Sequence, residues 1–254
     1  MREKNRINKH RNQKEDWEIL SEIDPLHAII GGSLKIDNEL HMKEFFETGI
    51  DEIKGIMTKC NSLSLPNNYE NALDFGCGIG RLSRALRKYF NNVYGIDISE
   101  NMIKLAKQKN KKDNLNFLLN EKNDLSVFTD QIFDLIYSNI TLQHIADKKT
   151  IELFIYEFIR VLRNDGILIF QLPYHIPKKY KIQPKRRLYG FLKKLGMNNK
   201  FLINKLHLSP MVMNYLEKEK ILKIIKKSNA NLIDIKSHTS TRGGIKSYVY
   251  FITK

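Results

Sequence analysis

Three alternating glycines separate an apolar run from a helix-forming run in residues 73–81, LDFGCGIGR. Gly76, Gly78 and Gly80 directly follow the hydrophobic residues that predict a strand. Glycine tolerates positive φ angles and lets a ligand touch bare backbone, and the N-terminus of the next helix offers unpaired N–H groups. The pattern therefore predicts a turn that binds a ligand through its backbone, although G-x-G-x-G alone also fits a simple tight turn.

A carboxylate stands at the matching place on the next predicted strand. Asp97 follows the apolar run 93–96 and lies 21 residues beyond Gly76. An acidic side chain there can accept hydrogen bonds from both hydroxyl groups of a ribose. Because open α/β sheets bind ligands at the carboxyl ends of neighbouring strands, the turn and Asp97 together predict a site for an adenosine ligand.

The elements that would position these residues alternate between strand and helix, which is typical of a mostly parallel sheet with helices on both faces. Seven strands are predicted, at residues 72–75, 93–96, 115–119, 133–137, 167–172, 232–237 and 247–252. Helices are predicted at residues 16–20, 82–90, 100–108, 151–162 and 217–228, with another that Asn38 could cap and that carries Phe46, Ile50, Ile53 and Met57 on one face. The fold class is therefore α/β, a doubly wound seven-stranded sheet in a single domain, residues 1–254.

The segments around the predicted core are distinguished by composition. Residues 1–15 are polar and basic and predict a mobile tail. Residues 16–65 predict a helical cap in front of a core at 70–172. Residues 173–216 predict a basic lid or acceptor region after the fifth strand, and residues 217–254 supply the last helix and strands.

The composition is that of a globular protein with excess positive charge. Apolar residues make up 42% and the formal net charge is +15. No stretch approaches the roughly 18 consecutive apolar residues of a membrane span, and the N-terminus shows no apolar secretory signal. Two cysteines are too few for a disulfide framework or a structural zinc site, so we expect a cytoplasmic protein without a bound metal.

The positive charge is concentrated in residues 166–216, which contain no Asp or Glu. This segment predicts a basic patch for an anionic partner. Within it Leu188, Phe191, Leu192 and Leu195 recur at helical spacing amid Arg186, Arg187, Lys193 and Lys194. The favoured interpretation is a lid helix packed on the sheet, with its lysines in water. The alternative is a surface for an anionic membrane or a phosphorylated acceptor.

Four segments in order, residues 73–83, 95–99, 133–136 and 161–168, resemble the successive motifs of class I S-adenosylmethionine-dependent methyltransferases. The resemblance implies a Rossmann-like methyltransferase fold, S-adenosylmethionine as cofactor, and methyl transfer by in-line displacement. It also implies roles for individual residues. Asp74 and the loop 76–80, with Cys77 as packing, would hold the methionine end of the cofactor, and Asp97 would hold its ribose.

The same resemblance assigns the adenine end. Ile98 and Met102 would flank the ring, although both could simply belong to the core, and Asn139 is predicted to be a further cofactor contact. In the family an acidic residue after the third strand usually reads the adenine amine. Here that residue would be Glu121, with Asp124 as the alternative.

Two histidines are candidates for a general base, which a hydroxyl acceptor would require. His144 follows the fourth predicted strand and His175 the fifth, and a structural histidine is the alternative for each. Residues 138–141 do not match the Asn/Asp-Pro-Pro-Tyr/Phe motif of methyltransferases that grip a flipped base, so DNA-base methylation is not expected.

The leading functional hypothesis is an enzyme that methylates a small-molecule or sugar- or lipid-linked acceptor. An RNA methyltransferase is the first alternative, which the charge favours although no RNA-binding module is recognisable. A regulator that binds the cofactor without turnover is the second. The sequence leaves open which acceptor atom is methylated.

Overall fold

In the computed structural model, which describes residues 2–30, 39–239 and 244–254, a seven-stranded sheet has the order β3-β2-β1-β4-β5-β7-β6. Strands β1 to β5 pair in parallel, and β7 runs antiparallel between β5 and β6. The strands are β1 (Asn71–Phe75), β2 (Asn92–Asp97), β3 (Leu115–Leu119), β4 (Phe133–Ser138), β5 (Leu162–His175), β6 (Asn231–Thr239) and β7 (Lys246–Thr253). The predicted fold class is thereby confirmed.

Helices cover both faces because the strands are apolar on both sides. They are α1 (Arg2–Ile23), α2 (Pro25–Ile30), α3 (Glu39–Ser62), α4 (Arg81–Leu86), α5 (Glu100–Lys109), α6 (Lys148–Val161), α7 (Lys178–Ile182), α8 (Pro184–Lys194), α9 (Asn199–Asn204) and α10 (Lys218–Lys227). Helices α6 and α10 share a buried cluster with Leu73 on one face, and α3 and α4 share another with Ala72 on the other. Both faces of β1 are therefore buried, which fixes the turn that follows it.

The N-terminal segment differs from the prediction. Residues 1–15 were expected to be a tail, but helix α1 begins at Arg2 and continues to Ile23. Its first half has no apolar face to reveal it, and its second half is held by contacts with distant residues. Asn38, the predicted cap of α3, lies outside the described residues.

The basic lid also differs from the prediction, because several of its apolar residues face solvent. Helix α8 forms as predicted, yet Leu188, Phe191 and Leu195 are exposed and Tyr189 is the buried residue. The favoured interpretation, an apolar face packed on the sheet, is therefore wrong for these residues. Within the described ranges, no helix is long and apolar enough to cross a membrane, and no group of three or more His, Cys, Asp or Glu is placed to hold a metal.

Candidate active site

The glycine turn after β1 has backbone φ angles that residues with side chains rarely adopt. Gly76, Gly78 and Gly80 have φ angles of 78°, 53° and 86°. The N–H groups of Gly76 and Cys77 donate to the carbonyl of Ile96 at 2.8 and 3.0 Å, which fixes the turn to β2. A Cβ on Gly76 would collide with Thr141, so no other residue fits there without displacing the loop after β4.

Asp97 joins this turn to the end of β2. Its Oδ2 accepts a hydrogen bond from the N–H of Gly78 at 2.9 Å, and its Oδ1 accepts one from the N–H of Ser99 at 3.0 Å. Burial raises the pKa of the Asp97 carboxyl, and the hydrogen bonds from backbone N–H groups act in the opposite direction. A carboxylate offers about four acceptor positions, so both oxygens can still accept from a ligand hydroxyl.

The turn and Asp97 open onto a cavity of about 110 Å³ that continues into open solvent. Of the residues predicted from the sequence, the lining contains Gly76, Gly78, Asp97, Ile98, Met102, Asn139 and His144. The others, Asp74, Cys77, Gly80, Glu121 and His175, lie outside it. The structure thus brings seven of the twelve predicted residues to one cavity.

Three of the residues outside the lining shape the turn from behind. Asp74 is 1% exposed and accepts a hydrogen bond from the hydroxyl of Ser83 at 2.6 Å. Its burial raises the pKa of its carboxyl to about 6. Cys77 is buried in an apolar cluster with Phe117, and Gly80 occupies the N-cap position of α4 in the left-handed conformation. These residues can therefore position the turn without touching a ligand.

The carboxylates of the loop after β3 have partners within the protein. Glu121 forms an ion pair with Lys14 of α1. The side chain of Asp124 accepts a hydrogen bond from the N–H of Ser126 at 3.0 Å, and this bond lowers the pKa of the Asp124 carboxyl. Neither carboxylate is among the residues that line the cavity.

Asn120, Lys122 and Asn123 line the cavity in their place. The Nδ2 of Asn120 donates to the carbonyl of Asp124 at 3.1 Å. The Oδ1 of Asn123 is buried and accepts no hydrogen bond from the described residues. A buried acceptor without a partner is rare and costly in a folded protein, so this oxygen is poised to accept from a ligand. Sequence reasoning missed Asn123 because the loop has no regular spacing.

Glu52 of α3 was also missed, and it holds the loop after β4. Its Oε1 accepts hydrogen bonds from the hydroxyl of Tyr137 at 2.8 Å and from the Nδ2 of Asn139 at 2.7 Å. Its Oε2 pairs with the guanidinium of Arg81 at 2.8 Å. Burial and the Glu52 charge raise the pKa of Tyr137. Glu52 therefore couples the glycine turn to Asn139, a residue of the lining.

Ile140, the next residue, has a φ of 59°, which is strained for a β-branched side chain. Its N–H donates to the Oε1 of Gln171 at 3.2 Å. Ile140 lines the cavity at the carboxyl end of β4. Strained residues of this kind cluster at functional sites, where the surrounding structure holds them in place.

The two candidate histidines differ in position. The Nδ1 of His144 lies 2.7 Å from the carbonyl of Val212, and its Nε2 lies 3.1 Å from the Nε2 of Gln143. This pairing fits a proton on Nδ1, with Nε2 accepting from the glutamine amide. Burial lowers the pKa of His144, so the ring is neutral at physiological pH. His175 is exposed and lies away from the cavity.

Helix α1 lies against the cavity and ties its two sides together. Gln13 and Trp17 line the cavity, and the Gln13 amide donates to the carbonyl of His144 at 3.1 Å and accepts from the N–H of Ala146 at 2.8 Å. On the other side, the Glu18 carboxylate accepts from the hydroxyl of Ser99 at 2.9 Å. The N-terminal segment is thus part of the site.

Comparisons with known proteins agree with this arrangement. A family profile described as a methyltransferase domain matches residues 73–170. A malonyl-acyl-carrier-protein O-methyltransferase of Hamiltonella defensa is 37% identical over 98 residues, 39% of this chain and 36% of that protein. One of Buchnera aphidicola is 32% identical over 139 residues, 54% and 52% of the two chains. A ubiquinone biosynthesis O-methyltransferase of Coxiella burnetii is 38% identical over 102 residues, 39% of each. The chain thus spans about half or less of the length of these relatives.

Solved structures resemble the fold over nearly the whole chain. A SAM-dependent methyltransferase of Leishmania major has a TM-score of 0.62 at 13% identity, covering 96% of this chain and 83% of that one. Magnesium protoporphyrin IX methyltransferase of Synechocystis, with SAH bound, has a TM-score of 0.59 at 19% identity, covering 95% and 99%. The region matched by the family profile, the order of the strands and the glycine turn all indicate the same fold. Residues 73–170 thus match a methyltransferase-domain family, and the chain as a whole has the fold of these S-adenosylmethionine-dependent methyltransferases.

Proposed function

We propose that this protein transfers a methyl group from S-adenosylmethionine to a small-molecule or sugar- or lipid-linked acceptor. The observation that carries the proposal is the single cavity into which the glycine turn, Asp97 and the loop after β4 converge. Three curated relatives are named O-methyltransferases, which favours oxygen as the acceptor atom.

The residues of this cavity fit the parts of the cofactor. Gly76 and Gly78 line the cavity and would place their backbone against the methionine end, and Asp97 would accept from the ribose hydroxyls. The Oδ1 of Asn123 would accept from the adenine amine, while Ile98 and Met102 would flank the ring. Asp74 acts through Ser83 as a positioning residue. Bound S-adenosylmethionine supplies a methyl group on a sulfonium, whose carbon–sulfur bond breaks as the bond to the acceptor forms.

The chain's own part in this reaction is to bind and orient. Asn139, fixed by Glu52, and Thr141 line the cavity where the acceptor has to approach. An ionised carboxylate acceptor needs no general base, whereas a hydroxyl acceptor does. His144 is the base candidate that reaches the cavity, and its Nε2 would first have to release Gln143.

Calorimetric titration with S-adenosylhomocysteine tests the cofactor site. We expect one site per chain, weakened by about 1.5–3 kcal/mol in Asp97→Ala, the cost of losing hydrogen bonds to a charged group. Asn123→Ala should lose about 1 kcal/mol. Asp113→Ala removes an exposed carboxylate outside the cavity lining, so it is the matched control and should leave the affinity unchanged.

Transfer is tested separately, with methyl-labelled cofactor and fractionated cell extract. Label in an acceptor together with release of S-adenosylhomocysteine supports the enzyme. Unchanged affinity in Asp97→Ala would contradict the ribose assignment. Tight binding of the cofactor without release of S-adenosylhomocysteine in any fraction would favour the alternative of a regulator that binds the cofactor without turnover.

A further inference from the structure

Helix α8 turns an apolar face away from the rest of the molecule. The side chains of Leu188, Phe191 and Leu195 are 48%, 60% and 65% exposed. Tyr189, on the opposite side of the helix, is buried, and its hydroxyl donates to the Oδ1 of Asn199 at 2.9 Å. An amphipathic helix usually packs its apolar side against the protein. Here the described part of the chain packs against the other side.

This orientation is stabilised by a small core of its own. Tyr189, Leu202 and Leu208 are buried together between α8, α9 and the segment that follows, with Leu192 and Met197 packed against them. Phe201 of α9 and Leu206 are also exposed, which extends the apolar surface beyond α8. The α8–α9 hairpin, residues 184–206, therefore holds its shape while large apolar side chains remain in water.

The cationic side chains of α8 point in two directions, some toward the protein and some toward solvent. Lys193 faces α1, where its Nζ lies 3.5 Å from Glu15 and 4.0 Å from Asp16. Arg186 donates from its Nε to the carbonyl of Pro210 at 3.1 Å. By contrast, Arg187 and Lys194 are exposed, as are Lys200 and Lys205 of the α9 region. The outward surface is thus both apolar and cationic, with no acidic residue between positions 166 and 216.

We propose that the α8–α9 hairpin is a docking surface for an anionic phospholipid bilayer. Large apolar side chains enter the acyl boundary while neighbouring cations meet the lipid phosphates, which is how interfacial helices bind. A nucleic acid would use the cations but would leave Phe191 and Leu195 in water. The proposal goes beyond methyl transfer, because membrane binding is measurable without cofactor or acceptor.

Co-sedimentation of the full chain with vesicles tests the surface. We compare phosphatidylcholine alone with an equimolar mixture of phosphatidylcholine and phosphatidylglycerol. The wild type should bind the mixture and not phosphatidylcholine alone. The double variants Phe191→Ser with Leu195→Ser, and Arg187→Gln with Lys194→Gln, should each lower the partition coefficient by roughly tenfold or more.

The matched control also removes one arginine and one lysine, but from the side of the helix that faces the protein. Arg186→Gln with Lys193→Gln should stay within about twofold of the wild type, because both side chains face the protein. Non-specific charge attraction would instead weaken both charge variants equally. Circular dichroism and unchanged S-adenosylhomocysteine affinity show that each variant is folded. No binding to the mixture, equal loss in both charge variants, or full binding by the Phe191/Leu195 variant would each overturn the proposal. So would a tRNA complex that competes with the vesicles and is insensitive to the Phe191/Leu195 change.

Discussion

At the scale of single residues, Asp74 is a carboxylate that the fold buries at a cost in free energy. Burial raises its pKa to about 6, against the lowering effects of Ser83 and Arg81. In the unfolded chain an aspartate has a pKa of about 3.9, so the folded state holds this proton more tightly. The resulting penalty is absent below about pH 4, grows as the pH rises toward 6, and is constant above that.

Asp74→Asn should remove this penalty, because the amide oxygen can still accept from Ser83 without carrying a charge. We expect its free energy of unfolding to exceed that of the wild type by on the order of 3 kcal/mol at pH 7, and the difference to vanish near pH 4. Urea unfolding from pH 4 to 7 measures this, with Asp113→Asn as the exposed control. A difference independent of pH would contradict the assignment of the raised pKa to Asp74.

Sequence reasoning correctly located those residues whose position is set by the backbone. Gly76 and Asp97 stand at the ends of adjacent parallel strands, so their order along the chain already places them together. It did not find Asn123, because side-chain directions in an irregular turn follow from no periodicity. Glu52 escaped for another reason: its partner Tyr137 is 85 residues away in sequence.

At the scale of elements, α1 is fastened to the first turn of α5. Ser99 caps α5 by accepting from the N–H of Met102 at 3.1 Å. Glu18 adds a second cap from another helix, since its carboxylate accepts from the N–H groups of Glu100 and Asn101. A carboxylate at a helix N-terminus is favourable because unpaired N–H groups and the helix dipole meet there.

Loosening this contact should open the cavity. We expect Glu18→Ala to weaken S-adenosylhomocysteine binding by about 1 kcal/mol, the usual cost of a lost cap, and to increase proteolysis within residues 2–23. Glu22→Ala, on the exposed side of the same helix, should change neither. In the wild type, saturating cofactor should protect α1 and shift Trp17 fluorescence. If it does neither, α1 does not cover the bound cofactor.

Strands β1 to β4 begin and end within one residue of their predicted bounds, because each is a short apolar run between polar turns. Helix α8 was harder, since helical spacing reveals which side is apolar but not what covers it. The buried side of α8 is the side that carries Tyr189, because Tyr189 forms a small core with α9.

At the scale of the whole molecule, the net charge of +15 attracts any polyanion, so charge alone does not select an acceptor class. The arrangement of the charges is more informative. Lys193 is paired with acidic residues of α1, and Arg160 with Asp130 and Glu157. Part of the cationic excess is therefore tied up in the fold.

Binding of tRNA tests the RNA alternative against this arrangement. A surface built to hold a nucleic acid contacts many phosphates and binds in a saturable way even at physiological salt, with a steep dependence on salt concentration. Scattered cations give attraction at low salt that fades as ions screen it. We expect fluorescence anisotropy with labelled tRNA to show weak binding that does not saturate at about 0.15 M salt. The Arg187→Gln, Lys194→Gln variant should reduce the low-salt signal only in part. Tight, saturable binding coupled to methyl incorporation into the tRNA would make RNA the acceptor.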